Sequence, residues 1–174
     1  MSAQLRLAIG SAVAFQAVWI GSALSAAAAR PFIGVTLASA VIALQVLLSK
    51  RRQHLLLVIA ASAALGLVIE SALIGAGLVV PANPSPVPSL APLWMIGLWA
   101  VFGTLLDTAF RPLANRPVLA ALVGALFGPA AYVTGDRLGA LHINEPVWPG
   151  LVAIAIIWGV MLPLLLAIEQ RLPD

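Results

Sequence analysis

The sequence predicts an all-α membrane protein, a compact bundle of six transmembrane helices forming one domain over residues 1–174. Hydrophobic residues make up 62 % of the chain and charged residues only 9 %, and the mean hydropathy is +1.08. Average soluble domains are about 45–50 % apolar and about 25 % charged. So few charges cannot cover a water-facing surface, and so much apolar surface excludes disorder. The third observation is that six long apolar segments alternate with short polar ones.

Each of the six segments is close to the length that a helical span needs, about 20 mostly apolar residues. We expect helices and not strands because the segments are rich in Ala and Leu and show no alternation. The predicted spans are Leu7–Ala29, Phe32–Leu48, Leu55–Val80, Leu93–Phe110, Pro117–Thr134 and Trp148–Ile168.

The segments between the spans are compact and polar. Arg30–Pro31 predicts the first turn, since proline disfavours helix in the residue before it. Ser49–His54 reads SKRRQH and forms the second connection. Pro81–Pro92 contains five prolines, which favours an extended surface loop. Arg111–Arg116 and Gly135–Val147 complete the set.

The basic residues predict the orientation of the chain. Seven of the nine fall on one side of the predicted membrane and two, Arg30 and Arg137, on the other. The seven are Arg6, Lys50, Arg51, Arg52, Arg111, Arg116 and Arg171. Positive charge favours the cytoplasmic side, so we expect both termini in the cytoplasm. Six spans agree with this, because an even number of spans places both termini on the same side. We expect the membrane to be the bacterial cytoplasmic (inner) membrane. Trp94, Trp148 and Tyr132 then fall near the outer interface, as an aromatic belt would.

The N-terminal segment has a second interpretation. Arg6, the apolar run after it and the small residues 25–29 also resemble a secretory signal with a cleavage site. Cleavage would leave five spans. The apolar run is longer than such a signal usually has, so we expect it to be the first span.

Glu70 is the strongest candidate for a ligand-binding residue. An ionised side chain at mid-bilayer costs about 2.5–3.5 kcal/mol on insertion scales, and Glu70 lies roughly 22 Å into the third span by the helical rise. Gly66 shares its helical face, and small residues let helices approach closely. We therefore expect Glu70 to face the bundle, where it either binds a ligand or, as a protonated carboxyl group, bonds to Gln16 or a tryptophan.

Asp107 is the second acidic residue inside a span. Trp99, Gly103 and Asp107 follow one another at intervals of four and would share a helical face. Asp107 either forms an ion pair with Arg111, four residues on, or lies at the floor of a pocket beside Trp99.

Three further residues are candidate ligand contacts. Gln16 and Trp19 share a face of the first span near mid-membrane. Tyr132 follows Gly124 and Gly128 at intervals of four, and this GxxxG pattern is typical of close helix packing. Buried amides usually bond across helices, which would also explain Gln16.

The sequence contains no recognisable catalytic or cofactor motif. The absence of cysteine excludes disulfides and thiolate metal sites. His54 and His142 have no metal-ligand spacing, and no P-loop, GxSxG or GxGxxG pattern occurs. We therefore predict no catalytic residues, no metal and no cofactor. The basic residues form no helical face that would bind nucleic acid.

Several segments together resemble a family of small bacterial inner-membrane proteins catalogued as a domain of unknown function. They are Phe15–Trp19, Glu70–Ser71, Ala91–Trp94 running to Trp99, Asp107, Gly124–Pro129 with Tyr132, and Leu138–Ala140. The family more often has asparagine and histidine where this chain has Asp107 and Thr108. Because family genes often lie beside fatty-acid-modifying and amine-oxidase-like genes, the resemblance implies a role near membrane-lipid modification.

These observations leave three functions open. The first is a protein that binds a lipid or apolar small molecule and assists lipid-modifying enzymes. The second is a small transporter or substrate-binding transport subunit, and the third an intramembrane lipid-modifying enzyme with Glu70 as proton donor. Whether the chain is an enzyme stays open, although the missing motifs speak against it. The expected partners are membrane lipids and either a membrane protein or a second copy of the chain, without nucleic acid.

Overall fold

The protein is a bundle of six α-helices in the predicted order. The computed structural model describes residues 3–173, and its helices are α1 (Ala3–Ala27), α2 (Pro31–Leu48), α3 (Arg52–Gly75), α4 (Leu93–Gly103), α5 (Pro117–Arg137) and α6 (Val147–Arg171). All except α4 are long and apolar enough to cross a membrane. The predicted all-α membrane fold is therefore confirmed.

Helix α4 is shorter than the predicted span, which continued to Phe110. It has 11 residues and is about 16 Å long. From Thr104 onward the backbone forms tighter turns, and the Thr104 hydroxyl donates to the Val101 carbonyl at 2.7 Å. Such local side-chain bonds compete with helical ones. Leu105 and Leu106 in the turns that follow are buried, so other parts of the protein cover these turns. Irregular backbone at membrane depth has to be buried in protein in this way.

The short helix α4 lies at the centre of the bundle. It packs against α3, α2 and α1, whereas α5 forms its most extensive contact with α6. The α5–α6 contact is close because Gly124 and Gly128 present no side chain to Trp158 of α6. The GxxxG pattern thus has the packing role that the sequence predicted.

Two short strands lie beyond the ends of α3 and α5. Strand β1 (Val79–Pro81) pairs antiparallel with β2 (Leu141–Ile143), with Val79 opposite Ile143. The prediction that the third span continues to Val80 was wrong, since α3 ends at Gly75. Val79 and Ile143 are buried, so the strand pair closes this end of the bundle.

The aromatic residues expected at the outer interface are mostly internal. Trp94 and Tyr132 are only 3 % and 7 % exposed, whereas Trp148 is 66 % exposed. Of the three, only Trp148 has the exposure that an interfacial belt requires. The other two point into the bundle, where they help to line a cavity.

Candidate functional site

A cavity of about 590 Å³ lies between α1 and α5 and reaches α4 at its floor. Helix α1 packs against α2 and α4 but makes almost no contact with α5. The cavity is therefore open on the side of the bundle where these two helices face each other. Gln16 of α1 and Phe127 of α5 are exposed residues at this opening.

Glu70 is held at the cavity by side chains from two other helices. The Trp99 indole Nε1–H of α4 donates to Glu70 Oε1 at 2.8 Å, and the Tyr132 hydroxyl of α5 donates to the same oxygen at 2.5 Å. All three side chains are buried and line the cavity. Helices α3, α4 and α5 thus meet at one carboxyl group.

Glycine at position 66 makes the Trp99 contact possible. Gly66 precedes Glu70 by one helical turn, and a Cβ there would come within 2.6 Å of Trp99 Cδ1. The indole can therefore lie directly against α3 and reach the carboxyl group. On its other face Trp99 stacks on Trp158, with ring centroids 4.6 Å apart and planes 20° apart.

The second oxygen of the carboxyl group has no protein partner. Glu70 Oε2 is buried and accepts or donates no hydrogen bond within residues 3–173. The indole nitrogen of Trp94, also a cavity residue, is buried and unpartnered in the same part of the chain. Buried polar groups usually have partners, so both atoms are available to a molecule in the cavity.

Five of the six predicted site residues line the same cavity. They are Gln16, Trp19, Glu70, Trp99 and Tyr132. The expectation that a tryptophan would bond to Glu70 is met by Trp99. The Gln16 amide, the other expected partner, makes no side-chain hydrogen bond to Glu70 in the structure.

Asp107 lies apart from the cavity. Because α4 ends at Gly103, Asp107 does not continue the helical face of Trp99, and the predicted acidic pocket floor is not formed. Its carboxyl group lies 3.7 Å from Arg51 Nη1, and both side chains are 45 % exposed. The predicted pairing with Arg111 is replaced by this one. Asp107 and Arg111 instead border a separate polar depression.

One polar contact was not predicted from the sequence. His54 Nε2 lies 3.1 Å from Glu169 Oε1, and both residues are buried. This pair joins the start of α3 to the end of α6. The two residues are 115 positions apart, so no local spacing indicated their contact. Among residues 3–173, no three His, Cys, Asp or Glu side chains are grouped as a metal site requires.

The comparisons with known proteins match one family. The model of a family described as a protein of unknown function (DUF2878) matches residues 8–164. No curated protein and no solved structure matches the chain.

Proposed function

This chain belongs to the DUF2878 family of proteins of unknown function, and we propose that it is a membrane-embedded binding protein. It holds a lipid or another apolar small molecule in the cavity between α1 and α5. The observation that carries the proposal is the unpartnered Glu70 Oε2 inside a mostly apolar and aromatic cavity. Ligand sites typically combine apolar walls with a few placed polar groups.

The dimensions of the cavity support a ligand of small-molecule or lipid-chain size. Its volume of about 590 Å³ falls within the range of roughly 300–1,000 Å³ that ligand sites occupy. The opening between α1 and α5 faces sideways from the bundle, because these two long apolar helices scarcely touch. An apolar molecule dissolved in the bilayer can enter there without crossing water.

The charge distribution and the family resemblance support a proposed location. We place the chain in the bacterial cytoplasmic membrane with both termini in the cytoplasm, because seven of nine basic residues fall on that side. A ligand taken from this membrane would be a lipid or a lipid-derived molecule. We propose that the protein presents it to lipid-modifying enzymes, in keeping with the family resemblance.

A matched pair of alanine substitutions tests the cavity. Ala12 lines it, whereas Ala17, on the same helix, is exposed and lies outside it. Ala12→Phe should fill part of the cavity, and Ala17→Phe adds the same ring on the outer face of α1. Native mass spectrometry of the purified proteins should show a bound small molecule on the natural chain and on Ala17→Phe. Ala12→Phe should lose most of the bound small molecule.

Two results would overturn the proposal. One is a natural chain that retains no small molecule and takes up none when lipid is added. The other is equal occupancy in Ala12→Phe and Ala17→Phe with both proteins folded, because the bound molecule would then lie outside the cavity.

A further inference from the structure

We infer that the ligand is an amphiphile with a primary ammonium head group that binds Glu70, with its apolar chain in the rest of the cavity. The inference rests on the proposed function and names its ligand class. Three observations carry it: the bonding of Glu70 Oε1, the lack of basic residues in the described lining, and the aromatic rings around the carboxyl group.

The bonding of Glu70 Oε1 is suited to a carboxylate. This single oxygen accepts from both the Trp99 indole and the Tyr132 hydroxyl. Two donors on one oxygen stabilise negative charge there, and hydrogen bonds to an ionised group are the stronger ones. The remaining oxygen, Oε2, then lacks a donor within residues 3–173. An N–H of an ammonium group supplies the hydrogen-bond donor that Oε2 lacks.

The cavity provides no positive charge of its own. Glu70 is the only acidic residue in the described lining, which includes no Lys, Arg or His. The Arg51–Asp107 ion pair and the His54–Glu169 contact lie outside the cavity. A buried carboxylate needs a counter-charge, so a cation that balances an ionised Glu70 has to come with the ligand.

The walls around the carboxyl group are aromatic. Trp99 and Trp158 stack on each other, Phe102 meets Trp158 edge to face at 5.1 Å, and Tyr132 bonds directly to Glu70. Because the ring faces of Trp99 and Trp158 cover each other, a head group in this part of the cavity meets the carboxyl group itself. A carboxylate attracts an ammonium group and repels an anionic head group.

Three probes with the same chain and different heads test the inference. The full chain, freed of bound lipid in a non-ionic detergent, is titrated with dodecylamine, dodecanol and dodecanoate. The readout is tryptophan fluorescence, because four of the five tryptophans line the cavity, namely Trp19, Trp94, Trp99 and Trp158. A charge-assisted bond should make dodecylamine bind about tenfold more tightly than dodecanol, with dodecanoate weakest.

Substitutions assign that preference to Glu70. Glu70→Gln should bind dodecylamine and dodecanol about equally, while dodecanol binding stays within about twofold of the natural chain. Glu169→Gln makes the same change at the buried His54 contact outside the cavity and should keep the preference. Tyr132→Phe retains the ring and removes one donor to Oε1, so the preference should fall by about threefold, which provides a second test if Glu70→Gln does not fold.

The outcomes separate the inference from the proposed function. Equal binding of dodecylamine and dodecanol to the natural chain would show that the site does not select an ammonium head group. A preference that persists in Glu70→Gln would show that Glu70 does not bind the ammonium group. Either result refutes the ammonium assignment at Glu70 and leaves the proposed function standing. If no probe binds, or if Ala12→Phe binds all three as the natural chain does, the cavity itself is not the binding site.

Discussion

Glu70 shows how one residue organises the site. A carboxyl group inside an apolar bundle is costly unless it is paired, and here two helices contribute a donor each to the same oxygen. The donors are aromatic side chains whose rings also form the cavity wall. The residue at which three helices meet is therefore also the residue that has an unpartnered oxygen at the cavity.

Removing the carboxyl group should destabilise the bundle more than neutralising it. Glu70→Ala leaves the Trp99 and Tyr132 donors buried without an acceptor, and we expect a loss of about 2 kcal/mol in the free energy of unfolding. Glu70→Gln keeps a carbonyl oxygen for both donors and should lose less than half as much. Unfolding by SDS in mixed micelles measures both values. Equal stability of Glu70→Ala and the natural chain would show that these bonds contribute nothing net.

The sequence predicted which residues lie at the cavity more reliably than which residues meet. Glu70 was recognisable from its depth in a span, and Gln16 and Trp19 from their shared helical face. The partners of Glu70 lie 29 and 62 positions away, so no periodicity within one helix could identify the pair. Asp107 was misplaced because its position depended on a helix that ends four residues earlier.

At the level of elements, glycines set how closely the helices pack. Because Gly66 has no side chain, Trp99 can pack closely against α3. Gly124 and Gly128 likewise let Trp158 pack closely against α5. At Gly66 and Gly128 the neighbour is a tryptophan ring, and at Gly124 it is the backbone carbonyl group of Trp158. The two tryptophans then stack on each other, and Phe102 also contacts Trp158, so aromatic contacts at the cavity join the α3–α4 pair to the α5–α6 pair.

A methyl group at Gly124 should disturb this packing. Its Cβ would come within 2.8 Å of the Trp158 carbonyl carbon and 3.3 Å of Leu162 Cβ, so α5 and α6 would have to move apart. We expect Gly124→Ala to lower the free energy of unfolding by about 1–3 kcal/mol. Gly10→Ala is the matched control, since nothing lies within 4 Å of a Cβ there, and it should leave the free energy of unfolding unchanged or raise it by up to about 1 kcal/mol, because alanine favours helix over glycine. If both variants are equally stable in SDS unfolding, the close approach at Gly124 is not a constraint.

Element boundaries were predictable only where hydropathy sets them. The five long helices were evident because an apolar run of that length has to form backbone bonds within itself. The end of α4 depends instead on local bonds such as the one from the Thr104 hydroxyl, which hydropathy does not report. The strands are three residues each, and their pairing across about sixty positions leaves no local pattern.

The whole molecule has two chemically different ends. The start of α3 contacts the end of α6 through His54 and Glu169, and Arg51 meets Asp107 beside them. The opposite end of α3 leads into the strand pair and the proline-containing loop 82–92. Most of the basic residues are at the first end. The charge bias that predicted the orientation of the chain therefore matches the structural difference between the two ends.

This division predicts which loops are accessible from outside the cell. Because the natural chain has no cysteine, single cysteines report their own position. Val87 and Asn115 are both exposed, in the proline-containing loop and in the segment before α5. If the basic end faces the cytoplasm, a membrane-impermeant maleimide should label Val87→Cys in intact bacterial cells and Asn115→Cys only after lysis. The reverse pattern would place the termini outside, and labelling of both in intact cells would mean that the two ends do not lie across a membrane from each other.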